Sequence, residues 1–562
     1  MAETLADRSA PERSLRTTMR HRSAWGAILS VGCGTALIAV HARAYGSWLI
    51  DDAAITFAYA RNLASGAGLV LQPGAMSVEG YSNPTWLALL ALGRAWGLFD
   101  SGTLLGSPDY VVFPKLLALV CCAGVLVCTY VAARPLTSRA AWAPLVAGAV
   151  LAALPSFVIW SFSGLENPLY ALITAALATL LLRAGLAGTL LHPHIAAASG
   201  ALAVLAAMTR PDGAVLAAAF PLLAALSARS AAIRAIAISC ASFIVPFGLF
   251  VTWRFVHFGL LVPNTAVVKG GIALGAPQLD RLGELLAYPG WPATAAFLLG
   301  VALLVLRRDH RTALPAMLIP LALAVIAYTL LPQDWMSQQR FATPVWTLAA
   351  LTTALVVTAG LAGHRRRWRV ALVLVVVLAG LVGAPRLHRD AAAFRAAPDV
   401  PLCSIAERYG HVPDRYADLL GLRSGSLLVP DVGGTALTSR LRIVDLAGLT
   451  DPAIAGHHNR GDMRGLRDHV FEHAHPTIIH AHGHWSAVTG VLGDPRLARD
   501  YVLVHADQVL APNQDWIRRE AVPDPGVLAV LRADAGRRID EINHRDATTP
   551  TRACGPVLRV GR

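Results

Sequence analysis

Residues 24–62 read AWGAILSVGCGTALIAVHARAYGSWLIDDAAITFAYARN: a long apolar run that ends abruptly on two adjacent aspartates. A stretch of about 20 mainly apolar residues suffices to cross a bilayer as a helix, and residues 24–48 meet that length. Before the run come Arg8, Arg13, Arg16, Arg20 and Arg22, so the positive-inside rule keeps residues 1–23 in the cytoplasm. Ala42-Arg43-Ala44 has the small-residue look of a signal cleavage site. The basic region is longer than a signal peptide's, however, which favours an uncleaved anchor. Asp51 and Asp52 then emerge on the outer face, where adjacent carboxylates are costly unless paired or used.

The same pattern continues downstream. Of 562 residues, 55% are hydrophobic and only 15% charged, and the mean hydropathy is +0.52, whereas soluble chains carry about 25% charged residues. Further spans are expected near 110–133, 140–160, 165–183, 194–209, 211–227, 235–256, 290–306, 313–331, 343–362 and 369–385. The alternate loops expected inside hold Arg134/Arg139, Arg183, Arg229/Arg234, Arg307/Arg308/Arg311 and Arg365/Arg366/Arg367/Arg369, as the positive-inside rule requires. That parity holds if 84–99 lies along the outer interface rather than crossing. The expected fold is therefore an α-helical polytopic membrane domain (24–385) of eleven spans, with a large first outer loop at 50–109. A C-terminal α/β domain (386–562) follows outside the cytoplasmic membrane. Within it, 426–430, 442–446, 477–480 and 501–505 read as strands bounded by Gly, Pro and Asp, and 403–420 as a helix. The net charge of +13 sits largely in loop clusters that set topology, which excludes nucleic acid as the partner.

Candidate chemistry gathers on the expected outer side. The first outer loop carries Asp51-Asp52, Arg61-Asn62 and Val78-Glu79-Gly80-Tyr81-Ser82-Asn83-Pro84. Asp52 equally suits a plain helix N-cap, with Asp51 merely solvated. Other outer loops bring Ser163-Gly164-Leu165-Glu166, Thr209-Arg210-Pro211-Asp212-Gly213, Pro263-Asn264-Thr265 with Lys269, and Asp334-Trp335-Met336 with Arg340-Phe341. Each cation alone is explained as a snorkelling anchor. Several outer loops each bringing an ion argue for a shared site.

These motifs, in this order, resemble the GT-C-type membrane glycosyltransferases that use polyprenyl-phosphate sugars. Closest in pattern are the actinobacterial terminal arabinofuranosyltransferases. Asp431-Val432-Gly433-Gly434 and Val444-Asp445-Leu446-Ala447-Gly448-Leu449 in the tail look similar to that group as well. Gln333 departs from it, standing where a glycine is expected before the Asp-Trp pair. The resemblance implies inverting transfer of one sugar, arabinofuranose in the nearest group, from a lipid phosphate to a cell-envelope glycan. Asp51 or Asp52 would be the base that accepts the acceptor hydroxyl's proton. Arg340, Lys269 and Arg210 would hold the donor phosphate. Arg61, Glu79, Tyr81, Asn83, Glu166, Asn264 and Asp334 would contact the sugar or acceptor. No cofactor is required by the residues, and a divalent metal at the aspartates, as some relatives use, is left open.

The rival is a multi-span transporter or flippase of lipid-linked sugars. Transporters place ionisable residues at mid-membrane on broken helices, whereas here span interiors are nearly bare of charge. Cys403 and Cys554, alone among seven cysteines in lying in the tail, are disulfide candidates if the tail is extracytoplasmic. His480, His482 and His484 alternate, with His473 and His475 just before. Alternation on a strand would put them on one face, but no ligand spacing typical of a metal site accompanies them.

Overall fold

A computed structural model describes residues 10–269, 276–305, 314–332, 334–359, 366–507, 513–556 and 558. Gln333, the 307–311 arginines, Arg365 and the side chain of Lys269 lie outside the described residues. The chain is helical, with a small sheet region near its C-terminal end. Five helices among the described residues are long and apolar enough to cross a membrane: Ala24–Arg43, Asp109–Ala133, Asn167–Leu186, Ser230–Phe258 and Arg340–Ala359. Two further pairs, Ala140–Ala152 with Pro155–Ser161 and Gln278–Ala287 with Trp291–Val305, each bend by 90°, giving up to seven. The first bend has a local cause. Pro155 disfavours the helical conformation in the residue before it, and Leu154 is accordingly extended at φ −102° and ψ 104°.

Small residues let the helices close on one another, as membrane packing prefers. A Cβ on Gly148 would meet the Gly34 Cα at 2.5 Å, so the first helix and the Ala143–Ala152 helix touch backbone to backbone there. The segment 84–99, expected to lie along the interface, contains the helix Pro84–Ala95. It is followed by a short hairpin of β1 (Thr103–Leu104) and β2 (Ser107–Pro108).

The sheet region has five strands: β3 (Ser426–Val429), β4 (Arg442–Asp445), β5 (Ile478–His482), β6 (Tyr501–Asp507) and β7 (Asn513–Arg518). Their order is β4-β3-β5-β7-β6. β3 pairs in parallel with β4 and β5, while β7 runs antiparallel between β5 and β6. β7 was not expected. Its sequence NQDWIR opens on three polar residues and lacks the apolar alternation that marks a strand. The helix expected at 403–420 forms as Leu402–Ile405, a wider π turn at Ala406–His411, and Val412–Leu419.

The expected boundary at 385/386 falls inside one continuous helix, Arg366–Ala396. Phe394 near its end packs edge-on against Trp48 and Trp160, at 5.0 and 6.4 Å between ring centroids. From there the tail is stitched to the segment that follows the first helix. Asp51 N donates to Val400 O at 3.0 Å, Leu402 N to Leu49 O at 2.9 Å, and Ser47 N to Thr551 O at 2.9 Å. Gln72 brackets Leu441 and Ile443, donating to one carbonyl and accepting from the next strand amide at 2.9 and 3.0 Å. Buried backbone groups need such partners, so the two segments are folded as one body.

Candidate active site

Asp51 and Asp52 open the helix Asp51–Ala64. Acidic residues in a first helical turn complement the dipole, but neither is the N-cap. That position is Ile50, and it has no side-chain cap. The two aspartates have different fates. Asp51 is buried, and its carboxylate accepts from the amides of Gly433 and Gly434 at 3.1 and 2.6 Å. The approach needs glycine: a Cβ on Gly433 would lie 2.1 Å from Asp51 O. Burial, followed by the nearby Asp431 charge, pushes the Asp51 carboxyl well above its ordinary pKa, against the lowering effect of the two amides.

Asp52 keeps a quarter of its side chain exposed, and its Oδ2 lies 3.9 Å from Arg340 Nη1. Arg340 is otherwise enclosed, its Nε 2.6 Å from Asp334 Oδ2 and its guanidinium 4.7 Å from the Phe341 ring. Arg210 is the same distance from that ring. Arg210 in turn donates to Glu166 at 3.0 Å and to Asp212 at 2.9 Å. The other Glu166 oxygen accepts from Asn83 at 2.7 Å, and Asn83 accepts from Thr56, one turn beyond Asp52, at 3.2 Å. Asp52, Asn83, Glu166, Arg210, Asp334 and Arg340, spread over nearly 300 residues of chain, therefore form one connected cluster.

Four other expected contacts are engaged within the chain. Arg61 pairs with Asp100 and donates to Leu437 O at 2.8 Å. Glu79 is held by Arg254 through two bonds of 2.6 and 3.1 Å, both side chains being buried. Tyr81 is buried edge-on against Tyr59. Asn264 donates to the carbonyls of Gly448 and Leu449 at 2.7 and 3.0 Å. Thr56, Asp212, Trp160 and Phe341 belong to the cluster or its walls but were not singled out. Only Phe341 and Asp212, inside quoted motifs, carried any signal in the sequence.

The tail motif at 444–449 is a second docking loop. Asp445 accepts from Ala447 N and Gly448 N at 2.9 and 3.0 Å, and from Thr450 N at 2.7 Å. Burial still pushes its pKa up to about 7, against those lowering hydrogen bonds. An acid whose folded pKa exceeds its unfolded value of 3.8 is destabilising once ionised. Its contribution should therefore fall as pH rises from about 4 to 7 and level off above. Melting temperatures of wild type minus Asp445→Asn, taken across that window, should decline in the same way.

Cys403 and Cys554, the disulfide candidates, are brought to one place. Both are free thiols lining one small pocket, and Cys403 Sγ is engaged by Arg552 at 2.8 Å. His473, His475 and His484 are exposed, while His480 and His482 are hydrogen-bonded to one another at 2.8 Å. Among the described residues no group of three or more His, Cys, Asp or Glu side chains is placed to hold a metal ion.

The fold has counterparts among solved structures. No protein-family model and no curated protein sequence matches the chain. Among solved structures, ArnT from Cupriavidus metallidurans in the apo state is similar, with a TM-score of 0.58 at 13% identity over 90% of this chain and 100% of that one. The same protein bound to undecaprenyl phosphate gives 0.56 at 13% identity, over 89% and 99%. The apo oligosaccharyltransferase of Archaeoglobus fulgidus gives 0.52 at 14% identity, over 88% of this chain and 74% of that one.

Proposed function

We propose that this chain is a membrane glycosyltransferase that moves a sugar from a polyprenyl-phosphate donor to a cell-envelope glycan. In this reading eleven spans carry the tail to the outer side of the cytoplasmic membrane. The observation that carries it is the cluster around Asp52, where a part-exposed carboxylate faces an enclosed arginine and four outer segments converge. The ArnT structure with undecaprenyl phosphate supports a lipid-phosphate donor. The order of the loop motifs supports arabinofuranose as the sugar.

Asp52 acts as base. A sugar hydroxyl is a poor nucleophile, so its proton must pass to a carboxylate as the anomeric bond breaks. The leaving phosphate takes the electron pair, and its charge is met by Arg340. Arg340 is the better phosphate ligand of the two arginines, because only Asp334 holds it closely and its link to Asp52 is long, while Arg210 is locked between Glu166 and Asp212. Lys269 is retained as a further phosphate ligand. Glu166, Asn83 and Asp334 keep the two arginines and the Asp52 helix in register, as a supporting shell must.

The test is transfer of label from decaprenylphosphoryl arabinose to a synthetic arabinan acceptor by the purified protein. Labelled product supports donor, sugar and reaction together. Product only from another polyprenyl-phosphate sugar would overturn arabinofuranose and keep the enzyme class. No product from any such donor would overturn the class.

A further inference from the structure

The tail holds a hydrogen-bonded stack that the chemistry above does not use. Asp515 on β7 stands in register with His480 on β5, its Oδ1 2.6 Å from His480 Nδ1. His480 Nε2 lies 2.8 Å from His482 Nδ1, and His482 Nε2 lies 2.8 Å from Asp431 Oδ2. Tyr409 covers both imidazoles, at 4.0 and 4.6 Å between ring centroids. Asp515 is anchored by Arg408 at 3.1 Å and by the Tyr416 hydroxyl at 2.7 Å.

The proton positions follow from these partners. Burial alone would raise the Asp515 pKa, but Arg408 and the His480 bond hold it well below the carboxylate range. His480 therefore donates through Nδ1. Burial lowers the His480 pKa to about 3, against the bond and charge of Asp515, so the ring is neutral and its Nε2 accepts. His482 must then donate through Nδ1. The remaining contact joins His482 Nε2 to Asp431 Oδ2.

Exposure rises along the stack. The side chains of His480 and Asp515 are 0% and 1% exposed, while those of His482 and Asp431 are 21% and 28% exposed. The open end also lies near Asp51, the neighbour of Asp52. Asp431 is two residues before Gly433, whose amide binds Asp51, and the Asp431 and Asp52 charges both act on Asp51.

We propose that Asp431 and His482 form the acceptor half of the active site, binding hydroxyls of the incoming sugar so that the attacking oxygen stands beside Asp52. The assignment rests on the glycosyl-transfer reading above and adds the side from which the acceptor is held. The acceptor oxygen bonds to the anomeric carbon, and the bond from that carbon to the phosphate oxygen breaks toward phosphate. The hydroxyl proton passes to Asp52. Asp431 accepts a hydrogen bond throughout and keeps its contact with His482. The buried His480–Asp515 end fixes the direction of that pair, as a rigid supporting shell fixes a substrate-binding group.

The experiment uses full-length protein in nanodiscs, with decaprenylphosphoryl arabinose as donor and a synthetic arabinofuranosyl disaccharide as acceptor. Asp431→Asn is nearly isosteric at a part-exposed position, and its melting temperature is followed beside wild type. Loss of a hydrogen bond to a charged group should raise the acceptor KM about 10- to 100-fold, with the donor KM within about twofold. His482→Gln should move the same constant in the same direction. An unchanged acceptor KM, or donor and acceptor constants rising together, would overturn the assignment while leaving the enzyme intact. Should wild type transfer nothing, calorimetric binding of the disaccharide decides. Binding lost in Asp431→Asn upholds an acceptor site, and no binding by wild type overturns it.

Discussion

Asp52→Asn should lower the rate of sugar transfer about 10²- to 10⁴-fold, the usual contribution of a positioned general base. Its melting temperature should stay close to wild type, because the Asp52 side chain is part-exposed and its Arg340 contact is long. Asp51→Asn should behave differently. Asp51 is buried and both of its oxygens receive tail amides, so an amide nitrogen at either oxygen would face an N–H donor. The expected result is a lower melting temperature and looser docking of the tail, seen as earlier proteolysis there. Transfer surviving in Asp52→Asn and lost only in Asp51→Asn, with stability kept, would reverse the two roles.

The second large effect is on stability. Arg254→Ala would leave Glu79 buried without its bidentate partner. Removing one member of a buried ion pair typically costs about 3–5 kcal/mol. Burial already pushes the Glu79 carboxyl pKa up, and the Arg254 pair is what lowers it again. Thermal unfolding in detergent should fall steeply in Arg254→Ala. It should recover in part in the double variant Arg254→Ala with Glu79→Gln, which removes the orphaned charge. A single variant as stable as wild type would mean that Glu79 finds another partner or stays protonated at little cost.

How much could be read beforehand differs by element, for physical reasons. Apolar runs declare membrane helices because the bilayer demands length and hydrophobicity alone. Asp52, Glu166, Arg210, Asp334 and Arg340 stood out in the sequence because ions at the ends of apolar runs are conspicuous; that they cluster was for the structure to show. The intramolecular partners of Arg61, Glu79 and Asn264 were not legible, since a charged or amide side chain looks alike in sequence whether or not a neighbouring loop engages it. His480 and His482 showed their alternation, but Asp515 lay in a polar strand without strand periodicity, so their partner was hidden.

From residues alone came a polytopic helical chain and a set of outer-loop ions in the order of lipid-phosphate sugar transferases. Those features depend on composition and local spacing, which the chain carries in one dimension. Only the tertiary structure separated Asp51 from Asp52, by bringing Gly433 and Gly434 nearly four hundred residues back onto one carboxylate and leaving the other part-exposed beside Arg340. Neighbours in sequence have the same local signal. Which one is buried is decided by what packs against it, and that is long-range information.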